Sequence, residues 1–370
     1  MNCRPDDPPA RSAALDGMRG IAIISVLLFH YGYFATSTDP VQGAASVLFS
    51  LFDLGWLGVD LFFVLSGFLI TGILLKSKNQ RHYFKSFYAR RALRIFPPYY
   101  ALLTLALVVL PMLGHPMLLG WASAHQAWLW FYGTNLPPHA QWFDLGHLWT
   151  LAVEEHFYFV WPFVVYWTQL TRLRQICILT IPIALLVRLL GVHTPLEGYT
   201  MRFTLGRFDS LAIGAFAATL PREPLLFQKH VERVTLAFAL TSSGFLAISE
   251  FAPSTRPMVL SFGSPIFAGA FAGLVFLASI RRLPLRTMSV LESSILGRVG
   301  KYSYGMYLFH LPLLRLSRPV SVALGISLST LSGKLVWMAS MGLIAYVAAL
   351  LSWYIWEQQF LRFKTLFTAS

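Results

Sequence analysis

The sequence predicts an all-α protein that crosses a membrane about ten times, with both termini on the cytoplasmic side. Of its 370 residues, 56% are hydrophobic and only 12% are charged, a composition more apolar than that of soluble domains. Apolar runs long enough to cross a hydrocarbon core of about 30 Å recur along the chain. They lie near 18–34, 56–75, 95–114, 147–168, 175–191, 205–220, 232–250, 257–280, 302–324 and 334–357.

The positions of the basic residues predict the orientation of these spans. With the N-terminus inside, 22 of the 29 lysines and arginines fall in cytoplasmic segments, as the positive-inside rule requires. Residues 95–171 contain no lysine or arginine, which places 115–146 on the outer side. The net charge of +13 therefore reports topology rather than nucleic-acid binding.

The remaining segments are expected to be short. Residues 1–14 are rich in proline and charge and are predicted to form a disordered cytoplasmic tail, and 361–370 a second short cytoplasmic tail. A single membrane-embedded domain then fills 15–360, with no appended soluble domain. An apolar segment near 119–133 is predicted to be re-entrant or interfacial, because a further span there would reverse every later loop.

Two searches for other chemistry are negative. The chain has only two cysteines, Cys3 and Cys177, so it offers no disulfide framework and no thiolate metal site. It also lacks an HExxH motif, and its histidines are scattered. We therefore expect no metal cofactor and no nucleic-acid partner.

The first span carries two ionisable side chains. Arg19 and His30 are eleven residues apart, close to a whole number of helical turns, so both lie on one face about 16 Å apart. Ionisable groups inside a membrane are costly and are usually retained for function. The pair therefore predicts a functional face on this helix.

The first cytoplasmic loop is strongly basic and ends in an arginine cluster. Arg91 and Arg94 are three residues apart and point the same way on a helix, so they could clamp one polyanion such as phosphate, with Arg90 nearby. The alternative is that these arginines only obey the positive-inside rule and contact anionic lipid.

The fourth span carries two adjacent glutamates. Counting residues from the outer surface places Glu154 and Glu155 near the level of His30. A carboxylate beside an imidazole can orient it as a general base. Adjacent helical residues diverge by about 100°, so one glutamate is expected to face His30, and the sequence does not choose between them.

A structural role for the glutamates is the alternative. Either one could form an interhelical ion pair with a buried arginine such as Arg188 or Arg207. Arg207 and Asp209 are two residues apart and cannot face each other on a helix, so each needs another partner and a packing role is favoured.

Further polar groups lie in the predicted spans. Asp60, Ser66 and His147 are taken as candidate substrate-binding residues, with an interfacial position as the alternative for Asp60. His310 could lie along a path for the donor, although a packing role is favoured.

Five blocks of the sequence together resemble the membrane acyltransferase-3 family. They occur in order between Leu15 and about Phe360 and read LDGMRGIAIISVLLFH, GVDLFFVLSGFLIT, FYARRALRIFPPYY, HLWTLAVEEHFYFVWP and YSYGMYLFHLPLL. The family's arginine and histidine motif falls on Arg19 and His30. Its cytoplasmic arginine motif falls on Arg91 and Arg94, and its glutamates on 154 and 155.

The resemblance implies an enzyme of the bacterial inner membrane that moves an acyl group, commonly acetyl from acetyl-CoA, to a hydroxyl of a carbohydrate or glycoconjugate. On that basis Arg19, Arg90, Arg91 and Arg94 would bind the CoA phosphates, and His30 would be the base or the acyl carrier. Membrane lipid is the other expected partner, and the oligomeric state, with a homodimer as one option, stays open. His156 stands where the family often has glutamine.

Two other functions remain open from the residues alone. A transporter or flippase of a lipid-linked glycan would also need buried ions and a basic cytoplasmic face, but the chain shows no repeated halves. A glycosyltransferase would be expected to carry its carboxylates in an outer loop rather than in a helix.

Overall fold

The computed structural model describes residues 12–37, 39–118, 120–138 and 142–367, and all regular structure within these ranges is helical. The predicted N-terminal tail lies outside the described residues up to position 11, and helix begins at Ala13. The longer helices are α1 (Ala13–Thr36), α2 (Ala44–Asp53), α3 (Leu57–Ser77), α4 (Tyr83–Thr104), α5 (Trp149–Trp167), α6 (Leu170–Gly191), α7 (Thr204–Ala218), α8 (Leu225–Phe251), α9 (Arg256–Ser279), α10 (Ser294–Phe309) and α11 (Leu331–Ser352).

Seven helical stretches in the described part of the chain are long and apolar enough to cross a membrane, which makes this a multi-pass membrane protein. They are α1, α2 with α3, α4 with its extension to Met112, α6, α8, α9 and α11 with its extension to Phe367. The helices α5 and α7 lie in predicted spans, although α7 has only 15 residues. Helix α10 has 16 residues and ends at Phe309, and the short helices Pro312–Leu316 and Ser317–Ala323 follow it, so the predicted span near 302–324 is not one continuous helix. A total of ten crossings stays a prediction.

The apolar segment near 119–133 does not form a span. Its described residues contain two one-turn helices, Trp121–Ala124 and Ala127–Trp130, each only about 6 Å long. Tyr99 and Tyr100 of α4 donate hydrogen bonds to the carbonyls of Leu129 and Trp130, at 2.7 and 3.1 Å. The segment is thus attached to α4.

Buried ion pairs join the helices of the bundle. Arg207 of α7 donates to Asp60 of α3 at 2.6 Å, and Ser210 donates to the same carboxylate at 3.1 Å. Arg188 of α6 pairs with Asp209 of α7 at 2.8 Å. Arg207 and Asp209 therefore have packing partners on other helices, as predicted. The alternative that Glu154 or Glu155 pairs with Arg188 or Arg207 was wrong, because both arginines are bound to aspartates.

Close backbone contacts at glycine bring the central helices together. A Cβ atom added at Gly67 of α3 would overlap the carbonyl oxygen of Leu211 in α7, and one at Gly300 of α10 would overlap that of Asp16 in α1. Small residues allow helices in membranes to approach this closely. The glycines next to Ser66 and Lys301 thus help to set the positions of both side chains.

The C-terminal residues are helical and pack against the bundle. After α11, a π-helical turn (Trp353–Glu357) and the short helices Gln358–Leu361 and Arg362–Phe367 follow. Trp356 donates to the carbonyl of Pro97 in α4 at 3.0 Å. Helix α4 contains Pro97 and Pro98, and neighbouring segments can supply hydrogen-bond partners to the backbone of a membrane helix that contains proline. Arg90 of α4 donates to the carbonyl of Phe367 at 3.4 Å, so the described part of the predicted C-terminal tail is attached to α4.

Candidate active site

A cavity of about 630 Å³ lies between α1, α3, α4, α5 and α10. Its lining begins at Ser12, just before α1, and continues along α1 to Arg19, and on α3 it extends from Val59 to Ile73. The C-terminal segment contributes Leu361 and Lys364. The cavity therefore begins at the helix ends that the charge pattern assigns to the cytoplasm and extends into the bundle.

Basic residues from four parts of the chain line this cavity. They are Arg19, Arg91, Arg94, Lys301 and Lys364. Three of the four arginines predicted from the sequence are thus brought together. Arg90 is the exception: it is absent from the lining and donates to the Phe367 carbonyl at 3.4 Å.

Arg91 is the most deeply engaged of these cations. Its guanidinium lies 4.2 Å from the centre of the Tyr158 ring, a distance at which a cation is attracted to the aromatic face. The Arg91 Nε atom is buried and has no hydrogen-bond partner among the described residues. A buried donor without a partner is costly, so this group is available to an anionic ligand.

The two glutamates line the same cavity and face different neighbours. Glu154 lies beside the hydroxyls of Ser66 and Tyr158, which also contact each other. Glu155 adjoins a cluster of tyrosines that includes Tyr99, Tyr132 and Tyr304. Both carboxylates interact electrostatically with Arg91. The cavity therefore combines cations near its mouth with carboxylates further inside.

His30 lies beyond the inner end of this cavity. Gly58, next to the cavity residue Val59, packs against the carbonyl of Ala22, and His30 is eight residues, or about 12 Å, further along α1. Arg19 and His30 therefore stand at opposite ends of one helix face, and only Arg19 lines the cavity.

The predicted pairing of His30 with a glutamate was wrong. Its Nδ1 atom is 3.0 Å from the Val26 carbonyl oxygen and 3.3 Å from Nε2 of His310, a residue that follows α10. His147 precedes the first residue of α5, Trp149. Its ring contacts that of His310, which contacts His30, so His147 lies near the level of His30. The glutamates are two turns further along α5, about 10 Å deeper.

His147 completes a cluster of three histidines. Its ring centre is 4.8 Å from that of His310, which is 4.9 Å from that of His30. Tyr307 and Thr150 line the inner end of the cavity, share a hydrogen bond of 2.7 Å, and contact the His147 carbonyl. These two side chains thus separate the cavity from the histidine cluster.

The candidate substrate-binding residues are not brought together. Ser66 lines the cavity, His147 belongs to the histidine cluster, and Asp60 lies in the ion pair with Arg207, outside the lining. His156 also stays outside it, with Nδ1 at 2.7 Å from the Thr204 hydroxyl of α7. Asp60 and Ser66 of α3 therefore have different surroundings, and so do His156 of α5 and His147 just before α5.

Several lining residues were missed by the sequence reasoning. Lys301 and Lys364 were counted only as topology signals, although both belong to the basic set of the cavity. Tyr158 lies one turn after Glu154 and so shares its helix face, which is a signal that could have been used. The contact of His310 with His30 depends on how α1 and α10 pack and has no local sequence signal.

Fold and cavity together define a polytopic helical membrane protein with a cationic, ligand-sized chamber that carries two carboxylates. Comparison with known proteins gives the family: the chain matches the acyltransferase domain over residues 12–357, and it belongs to the acyltransferase-3 family.

Two curated relatives are bacterial O-acetyltransferases. The chain is 27% identical over 329 residues to the peptidoglycan O-acetyltransferase OatA of Listeria monocytogenes, covering 83% of this chain and 50% of the relative. It is 27% identical over 339 residues to the O-acetyltransferase OatA of Staphylococcus aureus, covering 83% and 51%. The chain thus spans about half the length of these relatives. No solved structure matches it.

Proposed function

We propose that this protein is an O-acetyltransferase of the bacterial inner membrane, which takes acetyl from cytoplasmic acetyl-CoA and transfers it to a hydroxyl of a cell-surface or exported carbohydrate. The observation that carries this proposal is the cavity of about 630 Å³ that joins a basic mouth to buried carboxylates and ends below His30. Family membership and the activity named for the curated relatives support the same reaction.

The basic mouth fits the phosphates of coenzyme A. Arginine binds phosphate through paired, charge-assisted hydrogen bonds, and the unpartnered Nε of Arg91 offers one such donor. Arg19, Arg94, Lys301 and Lys364 add positive charge around it. Acetyl-CoA would then extend its thioester past the glutamates towards the inner end of the cavity.

The histidine cluster would supply the acyl-transfer chemistry. The His30 imidazole would either accept the proton of the acceptor hydroxyl as its oxygen attacks the thioester, or take the acetyl group itself and pass it to the hydroxyl; in both routes the thioester C–S bond breaks and CoA leaves as the thiol. A labelled acetyl group trapped on His30 would support the second route, whereas single-turnover transfer without such a species would support the first.

A glycan of the cell envelope is the proposed acceptor class. The Listeria relative is named for action on peptidoglycan, and a carbohydrate hydroxyl is the nucleophile that this reaction requires. It would approach His30 from the outer side of the predicted topology, opposite to the basic mouth.

The first test measures acetyl-CoA binding and acetyl transfer by purified protein in nanodiscs. We expect Arg91→Ala combined with Arg94→Ala to weaken acetyl-CoA binding by at least about tenfold, because a hydrogen bond to a charged group contributes about 1.5–3 kcal/mol and 1.4 kcal/mol is a factor of ten.

Arg90→Ala is the matched control, because Arg90 belongs to the same helix but does not line the cavity. His30→Gln should abolish transfer and leave acetyl-CoA binding unchanged. Equal binding by the double variant and the Arg90 control, or wild-type transfer by His30→Gln, would overturn the proposal. Tight binding of a lipid-linked glycan without affinity for acetyl-CoA would favour a flippase instead.

A further inference from the structure

We infer that His310 is the positioning residue of His30: it accepts a hydrogen bond from His30 Nδ1–H and so leaves His30 Nε2 unprotonated towards the reaction. This inference rests on the proposed function, and it gives His30 a partner other than the glutamates of α5. It also explains why a second imidazole is buried beside the first.

The hydrogen bonds of His310 fix its tautomer. Its Nδ1 atom is 2.6 Å from the carbonyl oxygen of Tyr307, and a carbonyl can only accept, so Nδ1 carries the proton. In the neutral imidazole Nε2 then has a lone pair. That atom is the one that lies 3.3 Å from His30 Nδ1.

The same reasoning applies to His30. Its Nδ1 atom is 3.0 Å from the Val26 carbonyl oxygen, so it too carries a proton, which is shared between Val26 and His310 Nε2. The unprotonated atom of neutral His30 is therefore Nε2, the atom needed by a general base or an acyl carrier. A proton gained at Nε2 would strengthen the Nδ1–H bond to His310.

Burial makes this contact specific. His310 is completely buried and His147 is 4% exposed, so little bulk water competes for their ring nitrogens. His147 uses Nε2 to bond the Leu308 carbonyl at 3.1 Å, and its Nδ1 has no partner among the described residues. Buried ionisable groups in membrane helices are retained mainly for function, and His310 lies between the two other rings.

The test compares His310→Ala with His310→Asn in the acetyl-transfer assay in nanodiscs. We expect His310→Ala to lower kcat by about 10²-fold or more, the usual loss when acid–base catalysis is impaired, with acetyl-CoA Kd within twofold because His310 does not line the donor cavity. His310→Asn should keep more activity, since its amide oxygen can accept from Nδ1–H, and added imidazole should partly restore His310→Ala.

The exposed His125 provides the control, and His125→Ala should retain wild-type kcat. Wild-type kcat in His310→Ala, or a loss that neither asparagine nor imidazole restores, would overturn the inference. If the wild type itself transfers no acetyl, the proposed function fails, and nitrogen-15 NMR of histidine-labelled protein then decides the inference separately. In the wild type, the spectrum must show His30 protonated at Nδ1. In His310→Asn, the nitrogen-15 chemical shift of His30 Nδ1 must change.

Discussion

At the scale of single residues, similar charged side chains in the membrane have different roles. Arg91 and Arg207 are both arginines in helices, but Arg207 is paired with Asp60 outside the cavity lining, whereas Arg91 lines the cavity beside the Tyr158 ring. Asp60 is completely buried and bound by Arg207 and Ser210. The surroundings, rather than the residue type, separate a structural charge from a ligand-binding one.

We expect Asp60→Asn to destabilise the fold. Removing one member of a buried ion pair leaves the other charge uncompensated, which typically costs about 3–5 kcal/mol. Thermal unfolding in detergent should show a clear drop in Tm, and the surviving folded protein should bind acetyl-CoA normally. Glu292→Gln removes an exposed pair with Arg281 and should change Tm little. If Asp60→Asn kept the wild-type Tm but lost acetyl transfer, Asp60 would be assigned to acceptor binding instead.

The carboxylate of Glu154 gives a prediction of opposite sign. It lies close enough to Arg91 to offset part of that charge, so Glu154→Gln should make the cavity more positive. Acetyl-CoA should then bind about two- to tenfold more tightly, as expected for a charge interaction of about 0.5–1.5 kcal/mol. Titration calorimetry at two salt concentrations would measure this gain, which should shrink at high salt. Weaker binding would show that Glu154 contacts the donor directly.

At the scale of helices, glycine contacts place the functional side chains. Gly67 of α3 has no room for a Cβ because the Leu211 carbonyl of α7 occupies that space, whereas Gly72 of the same helix has open space around it. The neighbouring Ser66 faces Tyr158 and Glu154. The approach of α3 to α7 therefore affects the geometry of the cavity wall.

Alanine at these two positions should have different effects. Overpacking a well-packed contact costs about 1–3 kcal/mol, so Gly67→Ala should lower Tm and the yield of folded protein in size-exclusion chromatography. Gly72→Ala is the matched control, and it should be neutral or slightly stabilising because alanine favours helix. Equal stability of the two variants would mean that α3 and α7 do not approach this closely.

At the scale of the whole molecule, the distribution of charge and the cavity agree. The basic mouth is built from residues that the positive-inside rule assigns to the cytoplasm, including Arg91 and Arg94 of α4 and Lys364 of the C-terminal segment. The helices α5, α7 and α10 are outside the seven long apolar stretches. Two of them, α5 and α10, line the cavity.

Cysteine labelling would test this topology. In a background with Cys3→Ser and Cys177→Ala, a cysteine at His125 should react with an impermeant maleimide added to intact cells, and one at Gln169 should react only after permeabilisation. The two positions flank α5, so opposite accessibility means that α5 crosses the membrane. Labelling of both from one side would remove that crossing and reverse the predicted orientation of later loops.

The sequence by itself determined the membrane class, the helical architecture and the family, because apolar length, basic-residue position and ordered motif blocks are all local properties. It also identified Arg19, Arg91, Arg94, Glu154 and Glu155, which line one cavity. Only the tertiary structure decided which groups meet. Asp60 with Arg207 and His30 with His310 lie on different helices, and their contacts depend on helix crossing and depth. Counting residues from a predicted helix end does not fix either.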